Sequence, residues 1–123
     1  MVKPTYEDAK LMLQIAQWNS ASGVPEAMNW LWSDEFVSDY SRFVKKYPHG
    51  SDGYLKASRI CGAFETIGTL YKYKLFNKEL LFDWLAVGMV WNRIKGFALG
   101  MRKEAGEPRL YENFEAMAKD PEA

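Results

Sequence analysis

The chain has 123 residues, enough for one domain with one core, and we expect residues 1–123 to form that single domain. Sixteen Lys and Arg balance sixteen Asp and Glu, so the formal net charge is zero, which argues against bulk electrostatic binding to nucleic acid or anionic membranes. Hydrophobic residues make up 48% of the chain, as in globular proteins. The single Cys excludes an internal disulfide, and the single His excludes a His-rich metal site.

Neither a secretion signal nor a membrane span is expected. The N-terminal residues are polar, and the longest apolar stretch, residues 80–91, contains Asp83. This stretch is shorter than the roughly 18 apolar residues that a membrane-spanning helix requires. We therefore predict a cytoplasmic protein with no membrane partner.

The chain is rich in helix-forming residues and has no segment of sustained two-residue alternation, which predicts an all-α fold: a compact bundle of about five helices. The first helix is predicted over residues 6–19, with Thr5 as its N-cap. The second begins at Pro25, is expected to kink or restart at Ser33 or Asp34, and continues through apolar residues at three- and four-residue steps to Tyr47. Residues 48–53 are predicted to form a loop.

The third helix, residues 54–74, has a one-sided apolar face typical of a core helix and includes Cys61, expected to be a buried structural thiol. A short connection to the fourth helix, residues 78–102, predicts that these two helices form a central antiparallel hairpin. The fourth helix is apolar on two opposite sides, which predicts burial all round. A glycine pair, Gly96 and Gly100, favours close helix packing. A short fifth helix is predicted over residues 109–118.

Three segments of the chain resemble a known family. Residues 59–68, Arg-Ile-Cys-Gly-Ala-Phe-Glu-Thr-Ile-Gly, look like the arginine and "FExIG" helix of DUF4760-like bacterial proteins of unknown function. Residues 75–83 are similar to the turn and helix start of that family, and residues 108–115 resemble its closing "P-x-x-Y-x-x-F/L-E" segment. The resemblance covers residues 54–118, implies the fold of the family, and implies no activity.

Two acidic residues, Glu65 and Asp83, are predicted to lie near the core edge of neighbouring helices. In one interpretation they form a carboxylate pair that shares a proton or a metal, which requires close approach and shared burial. In the other, which we favour, each pairs with a nearby base or hydrogen-bond donor, and Arg59, Glu65, Asp83 and Tyr111 form a structural polar cluster.

No pattern of catalytic residues emerges from the sequence. The single histidine, His49, lies in a predicted loop without a Glu-x-x-His partner, and there is no glycine-rich phosphate loop or nucleophile elbow. We therefore expect no catalytic residue, metal or other cofactor. Residues 71–74, Tyr-Lys-Tyr-Lys, resemble a phosphate-binding and base-stacking run, but cations also complement a helix C-terminus. We favour that second explanation and predict no nucleic-acid partner.

Apolar side chains are more numerous than one helix face each requires. The first and fourth helices each carry a second apolar side, which helices two and five cover in one interpretation. In the interpretation we favour, these residues form an interface between two copies of the chain. The candidate interface residues are Leu11, Trp18, Phe82, Ala86, Met89 and Phe97.

These patterns lead to two hypotheses about function. The first, which we favour, is a non-enzymatic helical interaction module that self-associates, most simply as a homodimer. The alternative is a small apolar-ligand-binding or sensory domain whose pocket is walled by Trp30, Trp84 and Trp91.

Overall fold

The computed structural model describes residues 2–123, and every regular element within that range is an α-helix. The predicted all-α fold is therefore confirmed. Two of the five predicted helices are each divided in two, which accounts for the larger number of elements. The helices are α1 (Tyr6–Ala21), α2 (Val24–Leu31), α3 (Tyr40–Lys46), α4 (Asp52–Lys72), α5 (Lys78–Trp84), α6 (Val87–Ala105) and α7 (Glu112–Ala118).

The beginning of α1 follows the sequence prediction. The Thr5 hydroxyl accepts a hydrogen bond from the Asp8 backbone N–H at 3.2 Å, and the Asp8 carboxylate accepts one from the Thr5 N–H at 2.9 Å. This capping box satisfies N–H groups that a helix start leaves unpaired. After α1, Gly23 adopts a left-handed conformation, with φ of 78°, and Pro25 lies in the first turn of α2.

The predicted second helix is observed as two helices, since α2 ends at Leu31 and α3 begins at Tyr40. The Arg93 guanidinium, from α6, donates hydrogen bonds to the carbonyl groups of Leu31 and Ser33 at 2.9 and 3.0 Å. Arg93 thus donates to carbonyl groups that would accept backbone N–H bonds if the helix continued. The Asp39 carboxylate then caps α3 by accepting from the Arg42 N–H.

The predicted fourth helix is divided at Leu85 and Ala86 into α5 and α6. Leu85 has an extended backbone, with φ of −120° and ψ of 132°. Leu81 and Val87, on either side of the break, are both fully buried. In one continuous helix these side chains would point about 120° apart, so the break allows both to enter the core.

The core surrounds α4, which packs most extensively against α7 and then against α2. The expected hairpin partner contributes through α6, which contacts α4, α3 and α7. A side chain at Gly96 or Gly100 would overlap the Ser38 carbonyl or the Tyr40 ring, respectively. The expected close packing at the glycine pair therefore involves the segment that leads into α3, and α3 itself.

Candidate functional site

The residues of the "FExIG" segment join α4 to α7. Glu65 Oε1 accepts hydrogen bonds from the backbone N–H groups of Asn113 and Phe114 at 3.0 and 2.9 Å. Glu65 Oε2 accepts one from the Asn113 side-chain amide at 2.9 Å. Because Tyr111, the N-cap of α7, offers no side-chain bond of its own, Glu65 supplies the missing cap from another helix.

The same contact explains the aromatic and the glycine of the segment. Phe64 stacks on Phe114, with ring centroids 4.9 Å apart and planes at 22°. A Cβ at Gly68 would lie 2.7 Å from the Asn113 carbonyl group, so only glycine allows this spacing between α4 and α7. We call this arrangement of Phe64, Glu65 and Gly68 against the start of α7 the α4–α7 clasp.

The structure does not bring the four residues of the predicted polar cluster together. Arg59 lies exposed across Gly23, between α4 and α2. Asp83 is exposed on α5, and none of the described residues makes a hydrogen bond or ion pair with its side chain. The Tyr111 hydroxyl lies 3.9 Å from the Met101 sulfur, and burial raises the pKa of this tyrosine. Glu65 therefore bonds to Asn113 and Phe114 instead of Asp83 or Arg59.

The three tryptophans of the predicted pocket belong to separate aromatic contacts. Trp30 packs edge-on against Phe36, with centroids 5.3 Å apart. Trp84 packs edge-on against Phe76 at 6.3 Å. Trp91 contacts a ring of α7 at 5.0 Å and is 5% exposed. None of these tryptophans lines the groove of about 570 Å³ or the cleft of about 110 Å³ described below.

Some of the predicted interface residues are buried in the core, and others are exposed. Phe97 is fully buried between aromatic rings of α3 and α4, so its placement on an interface is corrected. Leu11 and Phe82 are half-buried against the core. The other three are exposed, and they lie on α1 and around the start of α6: Trp18, Ala86 and Met89.

One side of α1 carries two of the large apolar side chains that remain exposed, Tyr6 and Leu13. We call it the α1 strip, and it consists of Tyr6, Ala9, Leu13, Ala16 and Ser20. Tyr6 is 89% exposed and Leu13 is 63% exposed. The spacing of three and four residues places the five side chains along one face. That spacing is visible in the sequence, but burial of Ile15 decides which face of α1 turns outward.

An open groove of about 570 Å³ lies where the start of α1 meets the turn between α4 and α5. Asn77 joins these parts, since its N–H donates to the Asp8 carboxylate at 3.1 Å and its side-chain amide donates to the Val2 carbonyl at 2.8 Å. The groove also contains three lysines from the basic run and its continuation, Lys72, Lys74 and Lys78.

The single histidine takes part in a small surface cluster. His49 Nε2 lies 2.8 Å from Glu104 Oε1, and the Tyr40 hydroxyl donates to Glu104 Oε2 at 2.7 Å. Partial burial and this hydrogen bond raise the pKa of Tyr40. The adjoining cleft is only about 110 Å³, which accommodates a few water molecules. The cluster connects the loop before α4 to the end of α6.

Two kinds of structural feature are absent from residues 2–123. Within that range no three His, Cys, Asp or Glu side chains are grouped so as to hold a metal ion. In the same range, every helix is too short or too polar to cross a lipid bilayer.

Together, the clasp, the caps and the core define a single class of protein, a small all-α domain built around one long central helix. The chain belongs to the DUF4760 family, described as a domain of unknown function, and the match covers residues 4–120. The resemblance of the three segments is therefore confirmed, and the match extends it through α1, α2 and α3. No curated protein and no solved structure matches the chain.

Proposed function

We propose that this protein is a helical interaction module that self-associates through the α1 strip. The observation that carries the proposal is the exposure of Tyr6 and Leu13 on a largely apolar face of α1. Glu7 and Asp8 project from other sides of the helix, and Lys10, four residues after Tyr6 and three before Leu13, borders this face. An exposed apolar face favours removal from water by a partner.

A second copy of the chain is the partner that the spacing supports. Tyr6 lies seven residues before Leu13, and Ser20 lies seven residues after it on the same face. A two-fold axis through Leu13 therefore places the large Tyr6 of one protomer opposite the small Ser20 of the other. The net charge of zero adds no long-range repulsion between copies.

The experiment is sedimentation equilibrium over about 1 µM to 1 mM, because one helix face makes a small interface of modest affinity. We expect the mass to rise with concentration from that of one chain toward that of two. Leu13→Glu is expected to abolish this rise, because it places a charge at the centre of the pair.

The matched control is Leu55→Glu, which makes the same chemical change on an exposed side chain of α4. This variant is expected to associate like the wild type. A wild-type chain that stays monomeric throughout the range contradicts the proposal, as does equal loss of association in both variants.

Ala86 and Met89 form a second exposed apolar surface three residues apart near the start of α6. If Met89→Glu abolishes association and Leu13→Glu associates like the wild type, the interface lies at Ala86 and Met89 instead. Trp18 lies about 140° from Leu13 around α1, so it falls outside the proposed interface.

A further inference from the structure

The groove at the α4–α5 turn has the size of a ligand site. Its volume of about 570 Å³ falls within the range of roughly 300–1,000 Å³ that small-molecule sites occupy. Its walls come from the start of α1, the end of α4, the turn, the start of α5 and Glu122 near the C-terminus. Asn77 caps α5 by accepting from the Leu80 N–H, and its hydrogen bonds to Asp8 and Val2 tie the turn to the start of α1.

The three lysines of the groove differ in how they are neutralised. Lys78 Nζ lies 3.1 Å from Asp120 and 3.6 Å from Glu122, so its charge is already balanced. Lys72 and Lys74 have no carboxylate within 4 Å among the described residues, and Lys72 only lies over the Tyr73 ring at 5.4 Å. Two cations in the groove are therefore free to meet an anion.

The floor beside these lysines is apolar. Leu75 is 62% exposed, and Phe76 is buried beneath it. The N–H groups of Lys74 and Leu75 are already bonded to the carbonyls of Tyr71 and Leu70 at 3.1 and 2.9 Å. The turn thus offers apolar side chains and few free backbone groups.

We propose that this groove binds a small amphipathic anion. Its carboxylate or phosphate head contacts Lys72 and Lys74, and its apolar body covers Leu75 and Phe76. Three acids also line the groove: Asp8 accepts hydrogen bonds from Thr5 and Asn77, Glu122 lies 3.6 Å from Lys78, and Glu79 opposes the head group electrostatically. This site is separate from the α1 strip, so either proposal can fail without the other.

The ligand experiment is an NMR titration of the ¹⁵N-labelled full chain with sodium octanoate and with octyl phosphate, each below its micellar concentration. We expect saturable shifts centred on residues 72–79. Octanol, which lacks the charge, and acetate, which lacks the chain, are expected to bind at least about tenfold more weakly. Comparison of the two anions distinguishes a carboxylate head from a phosphate head.

The variants test the assignment of the head group. Lys72→Gln combined with Lys74→Gln is expected to weaken octanoate binding by about five- to tenfold. The matched control, Lys45→Gln with Lys103→Gln, removes the same charge from exposed lysines outside the groove and is expected to leave binding unchanged. Glu79→Gln is expected to strengthen binding, because it removes the opposing charge.

Three results would overturn the proposal. One is the absence of saturable shifts with either anion, and another is octanol binding as tightly as octanoate. The third is equal weakening by the groove pair and the control pair of lysine substitutions.

Discussion

Individual residues of the α4–α7 clasp show how far a single side chain can be interpreted from sequence. Glu65 was expected at the core edge with a hydrogen-bond donor, and that expectation agrees with its position. Its partners were missed because they are mainly backbone N–H groups 48 and 49 positions away. A backbone donor leaves no residue type to recognise, so only the fold reveals the pairing.

Two glycines of α4 should respond oppositely to the same substitution. A Cβ at Gly68 would lie 2.7 Å from the backbone of Asn113, so Gly68→Ala forces α4 and α7 apart. We expect it to lower the free energy of unfolding by about 1–3 kcal/mol. Gly62 has open space around it, so Gly62→Ala should raise that free energy by up to about 1 kcal/mol through helix propensity.

Urea unfolding followed by circular dichroism measures both changes on the same helix. Each variant controls for the other, since both replace a helical glycine by alanine. If both substitutions stabilise the protein equally, the close approach at Gly68 does not limit the spacing of the two helices.

At the scale of helices, the sequence predicted where apolar segments lie better than where they break. The apolar spacing continues across Leu85 without a proline or glycine, so periodicity alone joins α5 to α6. The break exists because Leu81 and Val87 both gain full burial, which depends on the other helices. Likewise, the end of α2 depends on Arg93, which lies about 60 residues further along the chain.

The C-terminal segment is held in place by Asp120. Its side chain is 6% exposed and accepts a hydrogen bond from the Tyr71 hydroxyl at 2.6 Å, while Lys78 Nζ lies 3.1 Å away. Burial raises the pKa of Asp120, but the hydrogen bonds from Tyr71, Glu122 N–H and Lys78 outweigh it and keep that pKa below 3.8. The carboxylate therefore ties α7 to α4 and α5.

Because the pKa of Asp120 is lowered in the folded state, the stabilisation by Asp120 decreases as the pH falls. The contribution of Asp120 to stability is complete above pH 3.8 and is lost as the pH falls through the lower pKa of the folded state. Asp120→Asn should lower the free energy of unfolding at pH 7 by about 1–3 kcal/mol. Its stability should then fall less steeply than that of the wild type below pH 3.8.

Urea unfolding at a series of pH values from 7 to 2 provides the comparison. Asp83→Asn is the matched control, because Asp83 is exposed and no described residue bonds to its side chain. Its profile should follow the wild type. A parallel profile for Asp120→Asn would contradict the assigned role of this carboxylate.

For the whole molecule, composition and periodicity were sufficient to predict the all-α class. The surplus of apolar residues was harder to interpret, because a list of side chains does not tell which of them meet within the chain. Phe97 shows the difficulty, since it was assigned to an interface and instead packs against the rings of Phe43 and Tyr54 within the chain. Leu13 shows the converse, because it is a large apolar residue that remains 63% exposed on α1.

The rate at which the Cys61 thiol is labelled measures how often the protein unfolds. It is fully buried, and burial together with the charge of Glu65 raises the pKa of its thiol. An aromatic disulfide reagent at pH 8 should therefore label native protein at least about a thousandfold more slowly than unfolded chain. Gly68→Ala should accelerate labelling about tenfold for each 1.4 kcal/mol of lost stability.

Absorbance of the released thiolate measures this rate, and the unfolded chain in guanidinium provides the reference. The protein contains no other cysteine, so the signal has a single origin. Native labelling as fast as in guanidinium would show that the centre of α4 is accessible without unfolding.

The late position of α7 in the chain has a consequence for biosynthesis. A helix of seven residues is too short to be stable alone in water. Helix α7 therefore forms only when it packs against Phe64 and Glu65 of α4. The ribosome must add 48 residues after Glu65 before Asn113 exists. Throughout that interval the aromatic flank of α4 lacks its cover, and a nascent chain is most exposed there to chaperones and to aggregation.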